Sequence, residues 1–151
     1  MGDILTNSKA RRDYHIDETY EAGIVLKGTE VKSLRAGKGQ IADAFARIEK
    51  GQVWLYNAHI DEYTHGNVQN HKPTAPRKLL LHRAEIYKLE PFSKVKGCAL
   101  VPLSFYWKKG LVKVSLALGR GKGSHDKRED MKNRDSDRDL KRATMHRLKG
   151  R

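Results

Sequence analysis

Sulfur, long apolar runs and aromatic rings are all scarce in this chain. Of 151 residues only Cys98 is a cysteine, so no disulfide framework can staple the fold, and a reducing compartment suits it. Flanked by Ala99, Leu100 and Val101, that thiol reads as a small core residue. No apolar run approaches the roughly 18 residues that a membrane-spanning helix needs. The amino-terminal stretch also lacks the apolar segment of a secretion signal. These absences point to a soluble, cytoplasmic chain.

Catalytic and metal-binding patterns are missing too. Gly119-x-Gly121 resembles the start of a dinucleotide fingerprint, but Ser124 stands at the third position and no strand follows to complete a βαβ unit. The phosphate-cradling lysine loop also fails, because Gly121-Lys122 is followed by Gly123 where a magnesium-binding hydroxyl belongs. No G-x-S-x-G string occurs, and nothing pairs two of the carboxylates as acid and base. His59, His65, His71 and His82 are spaced by 6, 6 and 11 residues, unlike paired metal ligands, and read as polar loop histidines. The expectation is a protein with no catalytic residue, no metal and no cofactor.

What the chain does have is positive charge. It carries 31 Lys and Arg against 18 Asp and Glu, a net +13. Residues 119–151 hold 12 of those cations and only 6 of the acids, so nearly half the excess lies at the carboxyl-terminal end. Such a balance suits nucleic acid or an anionic surface. The stretch Gly119 to Arg128 divides the chain into residues 1–118, which alternate apolar and polar side chains, and 119–151, a basic tail. Gly119, Gly121 and Gly123 are expected to let the backbone turn there, with Arg120 and Lys122 placing charge at the joint.

Along the body, Asn7 to Arg12 reads as a short basic arm. Tyr14 to Ile16 and Ala22 to Leu26 read as one strand or two. Thr29 is expected to cap a short helix with Val31 and Leu34 on one face and Gly37 just beyond its end. Lys50-Gly51 joins two strand-like runs, the second holding Val53, Trp54, Leu55 and Tyr56, with the two aromatics on one face. Asp61 to Pro76 reads as a long polar loop. Arg77 to Leu81 is a strand end leading into a second helix that Pro91 should close. The clearest hairpin pairs Cys98 to Trp107 with Leu111 to Leu118, and Pro102 marks an edge or a bulge.

About six strands and two short helices predict a mainly β fold: a small antiparallel barrel of the OB type, with short helices and a basic, intrinsically disordered tail. In the tail, Asp130 with Arg134 and Asp137 with Lys141 stand at helical spacing. Such pairs contribute only ~0.2–0.5 kcal/mol each, while ordering a residue costs roughly 1–2 kcal/mol. The tail is therefore expected to fold only on binding.

Longer strings narrow the reading. Asn7-Ser8-Lys9-Ala10-Arg11, Tyr20-Glu21-Ala22-Gly23, the run from Gly28 to Lys38 (G-T-E-V-K-S-L-R-A-G-K), Arg77-Lys78-Leu79-Leu80-Leu81 and Gly119 to Arg128 occur in this order. In these strings the chain closely resembles the SmpB (small protein B) family of bacterial SsrA-binding proteins. Ser8 and Gly123 stand where the family commonly has basic residues, and Thr144-Met145 where an Ile-Met pair can occur. The resemblance implies an OB-type barrel that binds the tRNA-like domain of tmRNA and enters stalled ribosomes with it, catalysing no reaction and acting as a monomer. It implies RNA contacts at Asn7, Lys9, Arg11, Tyr14, Glu21 and Leu80, with Arg120 and Lys122 adding charge. It further implies that Gly121, His125, Asp126, Lys127 and Arg128 meet the ribosomal decoding centre, with the tail in the mRNA channel.

Overall fold

In the computed structural model, residues 2–64 and 70–122 are described; the tail beyond Lys122, with His125 to Arg128, lies outside them. The chain begins with strand β1 (Asp3–Thr6), which the sequence pattern did not announce. The expected basic arm is a helix, α1 (Ser8–Asp13). Asn7 starts it: its Oδ1 accepts from the Ala10 backbone at 3.1 Å, leaving Nδ2 free for other partners. β2 (Tyr14–Ile24) is one continuous strand, so Tyr14 to Ile16 and Ala22 to Ile24 belong together.

Helix α2 (Gly28–Arg35) starts two residues earlier than a cap at Thr29 would place it, and Thr29 lies inside its first turn. Lys27 is its N-cap residue, and the Glu30 carboxylate accepts from the Lys27 backbone N–H at 2.8 Å. Gly37 then takes the positive φ of 69° that ends the helix. β3 (Gly39–Gln40) follows, then the expected hairpin of β4 (Phe45–Glu49) and β5 (Gln52–Tyr56), with Lys50 and Gly51 at φ 51° and 74° in its turn. β6 (His59–Ile60) pairs with β3, and β7 (Arg77–Leu80) leads into α3 (Arg83–Ser93).

Pro91 does not close α3; it sits in the last turn, where its missing N–H removes one bond and the Ser93 hydroxyl bonds the Glu90 carbonyl at 2.6 Å. The longest elements are β8 (Cys98–Lys108) and β9 (Leu111–Gly121), joined through Lys109 and Gly110. Their register shifts between Pro102 and Ser104, the bulge that Pro102 foretold.

Every pairing is antiparallel. β8, β4, β5, β7, β2 and β9 form a ring of six strands, closed by the β8–β9 ladder, with β1 added outside β8. Between β4 and β8 the closure is thin, a single pair, Ala46 with Leu100. Inside the ring Val53, Leu55, Leu79, Phe105, Val114 and Leu116 are fully buried, and Leu34 of α2 and Leu89 of α3 pack with them. A second, smaller cluster lies outside the sheet, where Ala10 of α1 covers Val101, Leu103 and Ala117.

Gly119 and Gly121 differ from expectation. β9 runs straight through them, Gly119 opposite Ile16 and Gly121 opposite Tyr14. Gly119 is required for space: a Cβ there would lie 2.9 Å from the Tyr14 Cβ. The glycine lets Tyr14 lie across the strand, so it serves packing rather than a turn.

His71 also departs from the polar-loop reading. It is buried, with Nδ1 2.8 Å from the Thr29 hydroxyl and Nε2 2.9 Å from the Ile60 carbonyl, pinning the loop after β6 to α2. Beside it Arg77 is buried and ion-paired with Glu30. The remaining guanidinium N–H groups reach the Ala58 carbonyl at 2.6 Å and the Pro73 carbonyl at 2.9 Å.

Candidate nucleic-acid interface

The outward face of the sheet is built by strand alternation. Ala22 points into the core, so Glu21 and Gly23 point out. Register then fixes their neighbours: Glu21 lies opposite Ser115, and Gly23 opposite Lys113 on one side and Leu80 on the other. Lys113 in turn faces Tyr106. Leu80 is therefore brought beside Glu21 by the β2–β7 ladder, and it is 50% exposed, unusual for a leucine in a sheet. Because Gly23 has no side chain, Leu80 lies over its backbone; a Cβ at Gly23 would come within 3.3 Å of the Leu80 Cβ.

Glu21 is held from β8. Its carboxylate accepts from the Tyr106 hydroxyl at 2.6 Å and from the Lys108 ammonium at 3.0 and 3.2 Å. The Tyr106 hydrogen bond, then that of Lys108, hold the Glu21 carboxyl below its ordinary value. Burial, then the bond to Glu21, push the Tyr106 phenol up to about 12. The carboxylate thus orients a cation and a phenol rather than standing alone.

Because the Glu21 value is lowered in the fold, its contribution is complete above the ordinary carboxylate range and is lost as pH falls through the lowered value. A carbon-detected NMR titration of Glu21 is expected to show a midpoint below the ordinary one, moving upward in Tyr106→Phe. An unchanged midpoint in that variant would exclude the phenol as the main cause.

The remaining residues separate into kinds. Asn7 is only 4% exposed, and its Nδ2 donates to the Ile41 and Pro102 carbonyls at 3.0 and 2.8 Å. It ties α1 to the body and presents no free polar atom. Lys9 and Arg11 are exposed on α1, and Lys9 pairs with Asp43 at 2.7 Å. Tyr14 is half-buried against Gly119. Arg120 makes a two-pronged pair with Asp17 at 2.9 and 3.2 Å. The Gly121 N–H donates to the Gly97 carbonyl at 2.8 Å, and Lys122 is half-buried after it. The structure brings Glu21 and Leu80 together on one face, while Asn7 is buried at the start of α1.

Sequence reasoning missed Tyr106, Lys108 and Lys113. Their alternation within two strands was legible, but their placement against Glu21 depends on pairing across 85 and 87 residues for Tyr106 and Lys108. Among the described residues no cluster of His, Cys, Asp and Glu could hold a metal ion, and no helix is long and apolar enough to cross a membrane.

The family model for the SmpB protein matches residues 4–146. The chain belongs to the SmpB family. Relatives bearing the name SsrA-binding protein extend over nearly its whole length. That of Geobacillus sp. is 56% identical over 97% of this chain and 94% of its own, and that of Thermobifida fusca 55% over 95% and 90%. The Bacillus subtilis protein is 53% identical over 99% and 96%. A solved chain described as "tmRNA-SmpB: a journey to the center of the bacterial ribosome" superposes with a TM-score of 0.69 at 50% identity, covering 83% of this chain and 92% of that one. The SmpB family segment from Gly28 to Lys38 is here helix α2 and its carboxyl-terminal turn, and Glu30 within it carries the buried pair with Arg77.

Proposed function

We propose that this protein binds the tRNA-like domain of tmRNA (SsrA RNA) and brings it to stalled bacterial ribosomes, where trans-translation begins. It is a cytoplasmic binding protein and catalyses no reaction. The observation that carries the reading is the SmpB family match across residues 4–146, with relatives named SsrA-binding proteins at 53–56% identity. The six-strand ring serves as an OB-type barrel, a scaffold that presents one sheet face to nucleic acid. On that face Leu80 supplies an apolar contact, and Lys108, steered by Glu21, supplies positive charge; Lys9 and Arg11 flank it from α1, and Arg120 and Lys122 add charge at the end of β9. Gly121 together with residues 123–151 forms the ribosomal part, with Gly121, His125, Asp126, Lys127 and Arg128 at the decoding centre and the rest in the empty mRNA channel. His125 offers a ring that stacks on an unpaired base, and Lys127 and Arg128 offer phosphate contacts.

The test is a binding titration of the tRNA-like domain against a structured control RNA of equal length, across a salt series. Leu80→Asp and Glu21→Ala are each expected to weaken the tRNA-like domain by about tenfold or more, the equivalent of about 1.4 kcal/mol, while barely changing the control. Equal affinity for both RNAs, with a steep common loss in salt, would instead mark a general ribosomal-RNA glue.

A further inference from the structure

Beyond Leu80 the same outward face continues onto β5. Lys78 lies two residues before Leu80 on the same side of β7, and its cross-strand partner is Trp54. Val53 and Leu55 fill the core, so Trp54 is turned outward and half-buried. A pocket of about 360 Å³ opens beside it, lined by Trp54, Val25, Leu26, Ala75 and Pro76, with Lys27 and Lys78 also in its wall. Val25 is brought there by its backbone N–H, which donates to the Lys78 carbonyl at 3.0 Å, and it remains 54% exposed.

The polar groups deep in this pocket are all engaged. Glu30 and Arg77 satisfy each other, and His71 is bonded at both ring nitrogens. They form a rigid floor that offers a ligand no charge. The Lys27 and Lys78 ammonium groups, by contrast, make no ion pair among the described residues. An occupant must therefore be flat and apolar where it meets Trp54 and Pro76, and anionic where it meets the lysines. A nucleotide has that division, a π-face on one part and a phosphate on the other.

We propose that this pocket takes one unpaired nucleotide of the bound RNA, its base against Trp54 and its phosphate between Lys27 and Lys78. The proposal rests on the RNA-binding reading of the Glu21–Leu80 face and extends that face by a subsite on β5 and β7. Trp54 is one of two tryptophans; the other, Trp107, packs against the core. In a Trp107→Phe background, titrating the full chain with the tRNA-like domain is expected to quench Trp54 emission. Trp54→Ala in the wild-type background is expected to lower affinity roughly five- to hundredfold, the range for removing one stacking platform, while Trp54→Phe restores most of it. Lys78→Ala is expected to weaken binding and reduce the salt slope by about one.

Normal affinity in Trp54→Ala together with unquenched emission would overturn the subsite and leave the pocket to a protein ligand. Leu80→Asp separates the two levels. If it weakens binding while Trp54→Ala does not, only the subsite fails; if neither does, the whole RNA face is wrong. Thermal unfolding of Trp54→Phe, expected to match the wild type, keeps the comparison free of folding effects.

Discussion

A chain ending at Lys122 is expected to keep its preference for the tRNA-like domain and to lose peptide tagging altogether. Residues 2–122 contain every strand of the ring, so the described body retains Glu21, Leu80, Tyr106 and Lys108 in place. Removing 123–151 takes away ten cations, so affinity for any RNA should fall at low salt by a shared factor. The ratio between tRNA-like and control RNA should survive. Tagging should not, because, Gly121 apart, everything assigned to the decoding centre and channel is gone. A reconstituted translation reaction on a message without a stop codon measures it, beside the binding titration. Loss of the preference itself would show that the tail, not the sheet, reads the RNA.

The cut must come after Gly121, although the sequence placed the joint at Gly119. Ending at Leu118 would remove the pairings of Gly119, Arg120 and Gly121 with Ile16, His15 and Tyr14. It would also remove those of Gly119 and Arg120 with Ala99 and Cys98. That shorter chain is expected to unfold at a clearly lower temperature. Its failure in any assay would report on folding rather than on the tail.

The largest stability effect is expected at Arg77. Its side chain is 2% exposed and that of Glu30 5%, so each charge depends on the other and on the carbonyls of Ala58 and Pro73. Arg77→Met leaves the Glu30 carboxylate buried with only the Lys27 backbone N–H as partner. Breaking a buried pair on one side costs about 3–5 kcal/mol, a large share of a typical domain stability of about 5–15 kcal/mol. Glu30→Leu, which leaves the guanidinium unpaired, should lose a comparable amount. Combining the two should destabilise by clearly less than the sum, since neither charge is then stranded. Urea unfolding of the three variants measures this. A loss below about 1 kcal/mol for Arg77→Met would mean that water reaches the pair and the loop after β6 is held by other contacts.

The two effects show how differently parts of the chain could be read. The β4–β5 turn at Lys50-Gly51, the bulge at Pro102 and the end of α2 at Gly37 were all legible, because each depends on a few adjacent residues and their allowed backbone angles. The start of α1 was not. Asn7 followed by a helix too short to show periodicity looks like a basic arm, and only its bonds to Ile41 and Pro102 make it a tie. Within the site, Leu80 and Glu21 came from family resemblance, while Tyr106 and Lys108 needed the ladder.

Arg77-Lys78-Leu79-Leu80 contains the same lesson in four residues. By sequence they are two cations and two leucines, each pair chemically alike. In the fold Arg77 and Leu79 are buried, Lys78 lines a pocket and Leu80 stands exposed. Composition, charge and local periodicity by themselves determined a basic, mainly β chain without a catalytic constellation, and the strings from Asn7 to Arg128 identified its family. Those properties reside in single residues and short windows. Which cation is buried, which leucine stands exposed and what holds Glu21 were decided by strand parity, by Glu30 arriving from α2, and by pairing between distant segments. Such contacts depend on register, which no local window contains.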